Sequence, residues 1–130
     1  MMARVRARMQ MARKGESVMS FKDNVQNSFA YLFEKWRFEF VNLVDDYGGN
    51  VIVAQSDNLR MRFAHDREDF FLDISQNEEV DGSIGFYEIL DRLTADGHVP
   101  AGYKYNNRIK HVSRLLEKCF PQVQAFFQNR

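Results

Sequence analysis

The residues able to do chemistry are few in this chain, and their spacing argues against most of what they could do. Cys119 is the single cysteine. Nucleophilic catalysis needs a base beside the thiol and a third group to orient that base. Cys119 instead falls on the apolar stripe Tyr105, Ile109, Val112, Leu116, Cys119, where a small buried thiol is the ordinary occupant. The three histidines stand apart: His65 beside Asp66 in a hairpin turn, His98 in a loop, and His111 on the polar side of a helix. None has the short spacing to Cys, His or Asp that metal sites show, so neither a metal nor a cofactor is called for. Asp45-Asp46, Glu68-Asp69 and Glu78-Glu79 are paired carboxylates, but neighbours in sequence on a solvated surface ionise alike and do not divide into an acid and a base. Gly48-Gly49-Asn50 lacks the lysine and hydroxyl residue of a phosphate loop and leads out of a helix rather than into one, so it reads as a turn. No catalytic residue is assigned, and the chain reads as a binding protein rather than an enzyme.

What remains is charge. Glu68, Asp69, Asp73, Glu78, Glu79 and Asp81 lie close together in sequence, along one strand and the loop after it. They form either a solvated rim or a docking face for a basic partner, since complementary charge speeds encounter and excludes wrong partners. Phe71 lies among them. Strand alternation puts it on the face away from Phe70 and Leu72, together with Ile52 and near Arg62. Either a later helix covers that face or an aromatic stands exposed among charges, which is the make-up of an interface anchor. The candidate partner-binding residues are therefore Glu68, Asp69, Phe71, Asp73, Glu78, Glu79 and Asp81.

A small sheet must position these side chains. Between Asn50 and Ser75 lie three short segments whose side chains alternate between faces, Val51 and Val53 against Ile52 and Ala54 in the first, which predicts three antiparallel strands. A hairpin centred on Asp66-Arg67 pairs Phe63 with Phe70, Met61 with Leu72 and Leu59 with Ile74, and sets Arg60 opposite Asp73. A loop of Gln55, Ser56 and Asp57 pairs Val53 with Leu59 and Val51 with Met61, extending the same apolar face. Before the strands, Val25, Phe29, Leu32, Phe33, Trp36, Phe40, Leu43, Val44 and Tyr47 keep a helical period, with Ser20 and Asp23 as a cap and Gly48-Gly49 as a stop. This predicts one long helix lying across the sheet. After the strands come a polar loop to Gly82 and a helix from about Ser83 carrying Phe86, Ile89, Leu90 and Leu93. A third helix follows with the Tyr105–Cys119 stripe, and Pro121 opens a last short one with Val123, Phe126 and Phe127. The expected class is α+β: a long N-terminal helix packed on a three-stranded antiparallel meander, followed by two to three C-terminal helices.

Length and composition bound the rest. The chain has 130 residues, 45% of them hydrophobic, with 12 Phe, 5 Tyr and 1 Trp, which suits one packed domain. A lone cysteine allows no internal disulfide and fits a reducing compartment. No apolar run approaches the roughly 18–20 residues of a membrane span, and no secretory core follows the first basic residues. A soluble cytoplasmic protein is expected. The balanced charge hides an asymmetry: in residues 1–18, Arg4, Arg6, Arg8, Arg13 and Lys14 face only Glu16, so the remainder is acidic. Residues 1–18 carry no helical apolar stripe and are expected as a disordered tail or frayed helix, ahead of a single α+β domain over 19–130. They read as an extension upstream of a natural start at Met19, as a nucleic-acid-binding arm whose arginines neutralise phosphates, or, less well, as a targeting peptide.

Arg60-Met61-Arg62-Phe63-Ala64-His65-Asp66-Arg67, then Phe70-Phe71-Leu72-Asp73-Ile74, then an acidic loop and a helix ending Leu90-Asp91-Arg92-Leu93, resembles the layout of small bacterial immunity proteins. These accompany secreted polymorphic or contact-dependent toxins. The resemblance covers residues 50–95 and implies a cytoplasmic protein that binds and neutralises a cognate toxin, here a basic one such as a nuclease. It transfers no individual residue role and leaves the oligomeric state open. The alternative is a small nucleic-acid-associated regulator acting through its Arg-rich N-terminal arm.

Overall fold

Ser20 opens the first helix, its hydroxyl accepting the Asp23 N–H at 3.1 Å, and so satisfies one of the donors a helix start leaves unpaired. Residues 20–41, 50–77 and 82–128 are described by this computed structural model. The tail 1–18, Met19, the expected helical positions Leu43, Val44 and Tyr47 with their Gly48-Gly49 stop, and the acids Glu78, Glu79 and Asp81 lie outside the described residues.

The single long helix is replaced by two short ones, α1 (Phe21–Ser28) and α2 (Ala30–Glu34), broken at Phe29 with φ −110° and ψ 32°. The break frees the Ser28 carbonyl, because the Leu32 N–H turns to the Phe29 carbonyl instead. Ser113 supplies the missing donor through its hydroxyl, and the Tyr31 hydroxyl donates to the Ser113 carbonyl at 2.7 Å. Burial pushes the Tyr31 hydroxyl well above its ordinary titration range. After α2 the chain reverses through Arg37 at φ 63° and enters a strand, β1 (Glu39–Phe40). Trp36-Arg37-Phe38-Glu39-Phe40 alternates aromatic and charged residues, so it satisfies a period of two as well as a helical one. Pairing with the sheet decided between them, with Phe38 buried and Glu39 exposed.

The sheet has five strands rather than three. They are β1, β2 (Val51–Gln55), β3 (Leu59–Asp66), β4 (Asp69–Gln76) and β5 (Ile84–Gly85), antiparallel and in sequence order across the sheet. The β3–β4 turn is Arg67-Glu68, with Arg67 at φ 60°, one residue later than the Asp66-Arg67 centre expected. Every partner therefore moves by two: Phe63 faces Leu72, Met61 faces Ile74, and Arg62 rather than Arg60 faces Asp73. A two-residue shift keeps each side chain on its own face. Between β2 and β3 the correction is larger. Ile52 faces Phe63 and Ala54 faces Met61, an odd displacement that turns Ile52 and Ala54 inward and Val51 and Val53 outward. Val51 to Ala54 are all apolar, so their pattern carries no phase and turn chemistry sets it. Ser56 does this, its N–H bonding the Leu59 carbonyl at 2.9 Å and its hydroxyl accepting the Leu59 N–H.

Two helices complete the fold, α3 (Phe86–Ala95) and α4 (Ile109–Gln128). The expected last helix after a break at Pro121 is instead the continuation of α4, with Pro121 inside it. Val112, Leu116, Cys119, Phe120, Val123 and Phe127 are buried along one unbroken stripe, and that packing outweighs the lost backbone bond. Tyr105, placed by its spacing on this stripe, lies before the helix and is exposed. Side chains from all four described helices join Met61, Phe63, Phe70, Leu72 and Ile74 in one core on one face of the sheet.

Gly85 is the N-cap of α3 (φ −63°, ψ 144°) and provides no side-chain bond. A Cβ there would meet only Asp73 Oδ1, at an ordinary 3.7 Å. Gly85→Ser can cap the Glu88 N–H and loses less chain entropy on folding, so it should stabilise the protein by about 0.5–1 kcal/mol, read as a rise in thermal midpoint.

Candidate functional site

Pairing and alternation fix which side chains lie on the sheet face opposite the helices. Reading across the strands, one row is Val51, Ala64 and Phe71. The next is Val53, Arg62, Asp73 and Gly85, and the third is Glu39, Gln55, Arg60 and Ser75. An apolar row thus runs beside a charged one and ends on Phe71, which is 44% exposed. Val53 is only 6% exposed yet stands apart from the helix-side core, as its outward register requires. Two cross-strand contacts flank it: Arg62 Nη1 lies 3.3 Å from Asp73 Oδ2, and Arg60 donates twice to Gln55 Oε1 at 3.1 and 3.3 Å. Such pairs hold long side chains flat on the sheet while contributing only about 0.2–1 kcal/mol each.

Of the seven residues expected to bind a partner, the structure brings together Asp69, Phe71 and Asp73 on this face, with Glu68 exposed in the adjoining turn. The negative charge is less concentrated than expected, because Asp73 faces Arg62 and Arg67 shares the turn with Glu68. The case for a docking face therefore moves from the acids to the aromatic row. The groups considered for chemistry stay apart. His65 sits near the end of β3 on the inner face against the Phe21 ring, centroids 4.2 Å apart, and His111 Nε2 meets the Lys104 carbonyl at 2.9 Å. Burial pushes the Cys119 thiol up to about 11. Among the described residues no three or more His, Cys, Asp or Glu side chains converge as a metal site would need. Among the same residues no helix is long and apolar enough to cross a membrane.

Sequence reasoning missed a second cluster beside this face. Tyr103 and Tyr105 both donate their hydroxyls to Asp91 on α3, Tyr105 at 2.6 Å, while the Tyr87 hydroxyl donates to the Asn106 carbonyl at 2.7 Å. The three rings touch, with centroids 4.9–6.1 Å apart, and Tyr105 is 64% exposed. Fourteen residues separate Asp91 from Tyr105, so only the alternation Tyr103-Lys104-Tyr105 hinted at it. The two tyrosine hydroxyls, Tyr103's first, hold the Asp91 carboxyl below the usual carboxylate value of 3.8. What they contribute is present in full above that value and is lost as the pH falls through the lower, folded one. As the pH falls below the usual carboxylate value, the loop 102–108 should loosen ahead of the core, followed by tyrosine NMR signals, and Asp91→Asn should abolish that step.

A surface notch of about 140 Å³ joins the two regions, lined by Phe71 and Asp73 on one side and by Gly85, Tyr87 and Glu88 on the other. Searches against protein-family models, curated proteins and solved structures return no match to this chain, so its reading rests on the residues above.

Proposed function

We propose that this chain is an immunity-type protein that works in the cytoplasm by binding a cognate, basic toxin domain and blocking it. The observation that carries the reading is Phe71: a large aromatic 44% exposed at the end of an apolar row, on a sheet face opposite all four described helices. An aromatic exposed at the end of an apolar row and rimmed by polar groups has the make-up of a docking surface, and such anchors dominate binding energy. Glu68, Asp69 and Asp73 at its margin would steer a cationic surface and fix its orientation, with the anchor supplying most of the affinity. The layout of β3, β4 and α3 is the part of the chain that resembles immunity proteins. The acidic balance of the chain beyond residue 18 favours a basic partner in the same way.

The test is co-expression with the C-terminal domain of the large toxin encoded beside this chain's gene. Cells should survive and the two proteins should co-purify, with association slowing as salt is raised because exposed charges are screened. The absence of both protection and a complex would overturn the proposal.

A further inference from the structure

We infer that the notch between Phe71 and Tyr87 is a receptor for one arginine side chain of the partner. The inference rests on the docking reading above and names the group that reading leaves unspecified. Among the described residues, the edge of β4 is covered in two places. β5 pairs with it at Asp73 and Ile74, and the Asn107 carbonyl takes the Phe70 N–H at 2.9 Å. Between these contacts, beside Phe71 and Leu72, the surface opens into about 140 Å³, close to the roughly 150 Å³ that accepts a benzene-sized guest in other proteins. That is room for one side chain.

Its chemistry selects which. Phe70, Phe71, Phe86, Tyr87 and Val112 make the walls apolar, which suits a long methylene stem. Two carboxylates stand on the rim, Asp73 and Glu88. Each holds its own arginine through one oxygen: Asp73 Oδ2 on Arg62 at 3.3 Å and Glu88 Oε2 on Arg92 at 2.5 Å. Among the described residues no hydrogen bond takes the other oxygen of either, which is left to accept. Asp73 Oδ1, the oxygen not on Arg62, lies 3.7 Å from where a Gly85 side chain would begin, and both residues line the notch. A planar guanidinium stacks on aromatic faces and presents five donors in a fork. An apolar side chain would leave the rim oxygens unanswered. The notch also borders Tyr87 and, through it, the Tyr103–Tyr105–Asp91 cluster, which extends the aromatic surface along the partner's path.

Two-dimensional NMR of the ¹⁵N-labelled full chain, titrated with N-acetyl-arginine amide and separately with N-acetyl-citrulline amide, tests this. Citrulline keeps the shape and removes the charge. Arginine amide should shift the amides of Phe71, Gly85, Tyr87 and Glu88 to saturation, and citrulline amide should bind about tenfold more weakly, as loss of a charge-assisted hydrogen bond implies. Gly85→Ser, argued above to fold at least as well, puts a side chain on the notch floor and should weaken arginine amide to a similar degree. Equal binding of the two amides, or undiminished binding by Gly85→Ser, would overturn the inference. Co-expression separates the two levels. A chain that protects cells while ignoring arginine amide removes the notch and leaves the docking face. A chain that takes arginine amide without protecting removes the toxin-blocking reading instead.

Discussion

Replacing Phe29 with alanine should destabilise the protein by about 3–5 kcal/mol, a large fraction of the 5–15 kcal/mol typical of a domain. Phe29 is fully buried at the break between α1 and α2, with ring centroids 5.1 Å from Phe63, 5.8 Å from Phe70 and 6.2 Å from Tyr31. It is therefore the point where both short helices bear on both long strands. Removing the ring loses its transfer energy and leaves a cavity that β3 and β4, tied to one another along eight residues, cannot collapse to fill. The expected readout is a thermal midpoint lowered by about 12–20 °C, at about 4 °C per kcal/mol for a chain between those of about 100 and about 150 residues. Phe29→Leu should recover much of the loss by refilling volume. If Phe29→Ala proved nearly neutral, the packing of α1 and α2 on the sheet as described would be wrong.

Phe71→Ala should do the reverse, leaving the fold almost unchanged and costing most of the partner binding. Its ring is 44% exposed and belongs to no buried cluster, so thermal stability should fall by no more than about 1 kcal/mol. As the anchor of the docking face it should contribute at least about 2 kcal/mol to the complex, a loss of some 30-fold in affinity appearing chiefly as faster dissociation. Asp69→Asn, on the same face but at its margin, should slow association and leave dissociation nearly untouched. Surface plasmon resonance on the purified toxin domain distinguishes these. An unchanged dissociation rate for Phe71→Ala would place the interface elsewhere on the molecule.

How much of this could be read in advance depends on how far each pattern reaches. Leu59, Met61 and Phe63 against Leu72 and Ile74 are separated from their polar neighbours by strict alternation, so their faces were legible even though the turn sits one residue later. Val51 to Ala54, apolar throughout, carried no such phase, and the hydroxyl of Ser56 decided it. β1 and β5, two residues each, are too short to show any period. Trp36 to Phe40 fits a helix and a strand equally well, which is why one long helix was expected where two short ones and a strand are found. In the site, the outward face of Phe71 followed from counting along β4, but whether a helix covers that face did not, and its exposure came from the structure. The notch and the tyrosines on Asp91 did not follow either, because they arise where β5, α3 and the loop before α4 meet, and no local pattern encodes that meeting.

The order of the strands across the sheet has a bearing on how the protein comes to be folded. Because each described strand lies next to the one before it, no strand among them must search for a remote mate. The hairpin at Arg67-Glu68 can form first and recruit its neighbours outward, one short closure at a time. A chain wired this way reaches its native state quickly after synthesis, and the interval in which its strands lie bare to one another is brief.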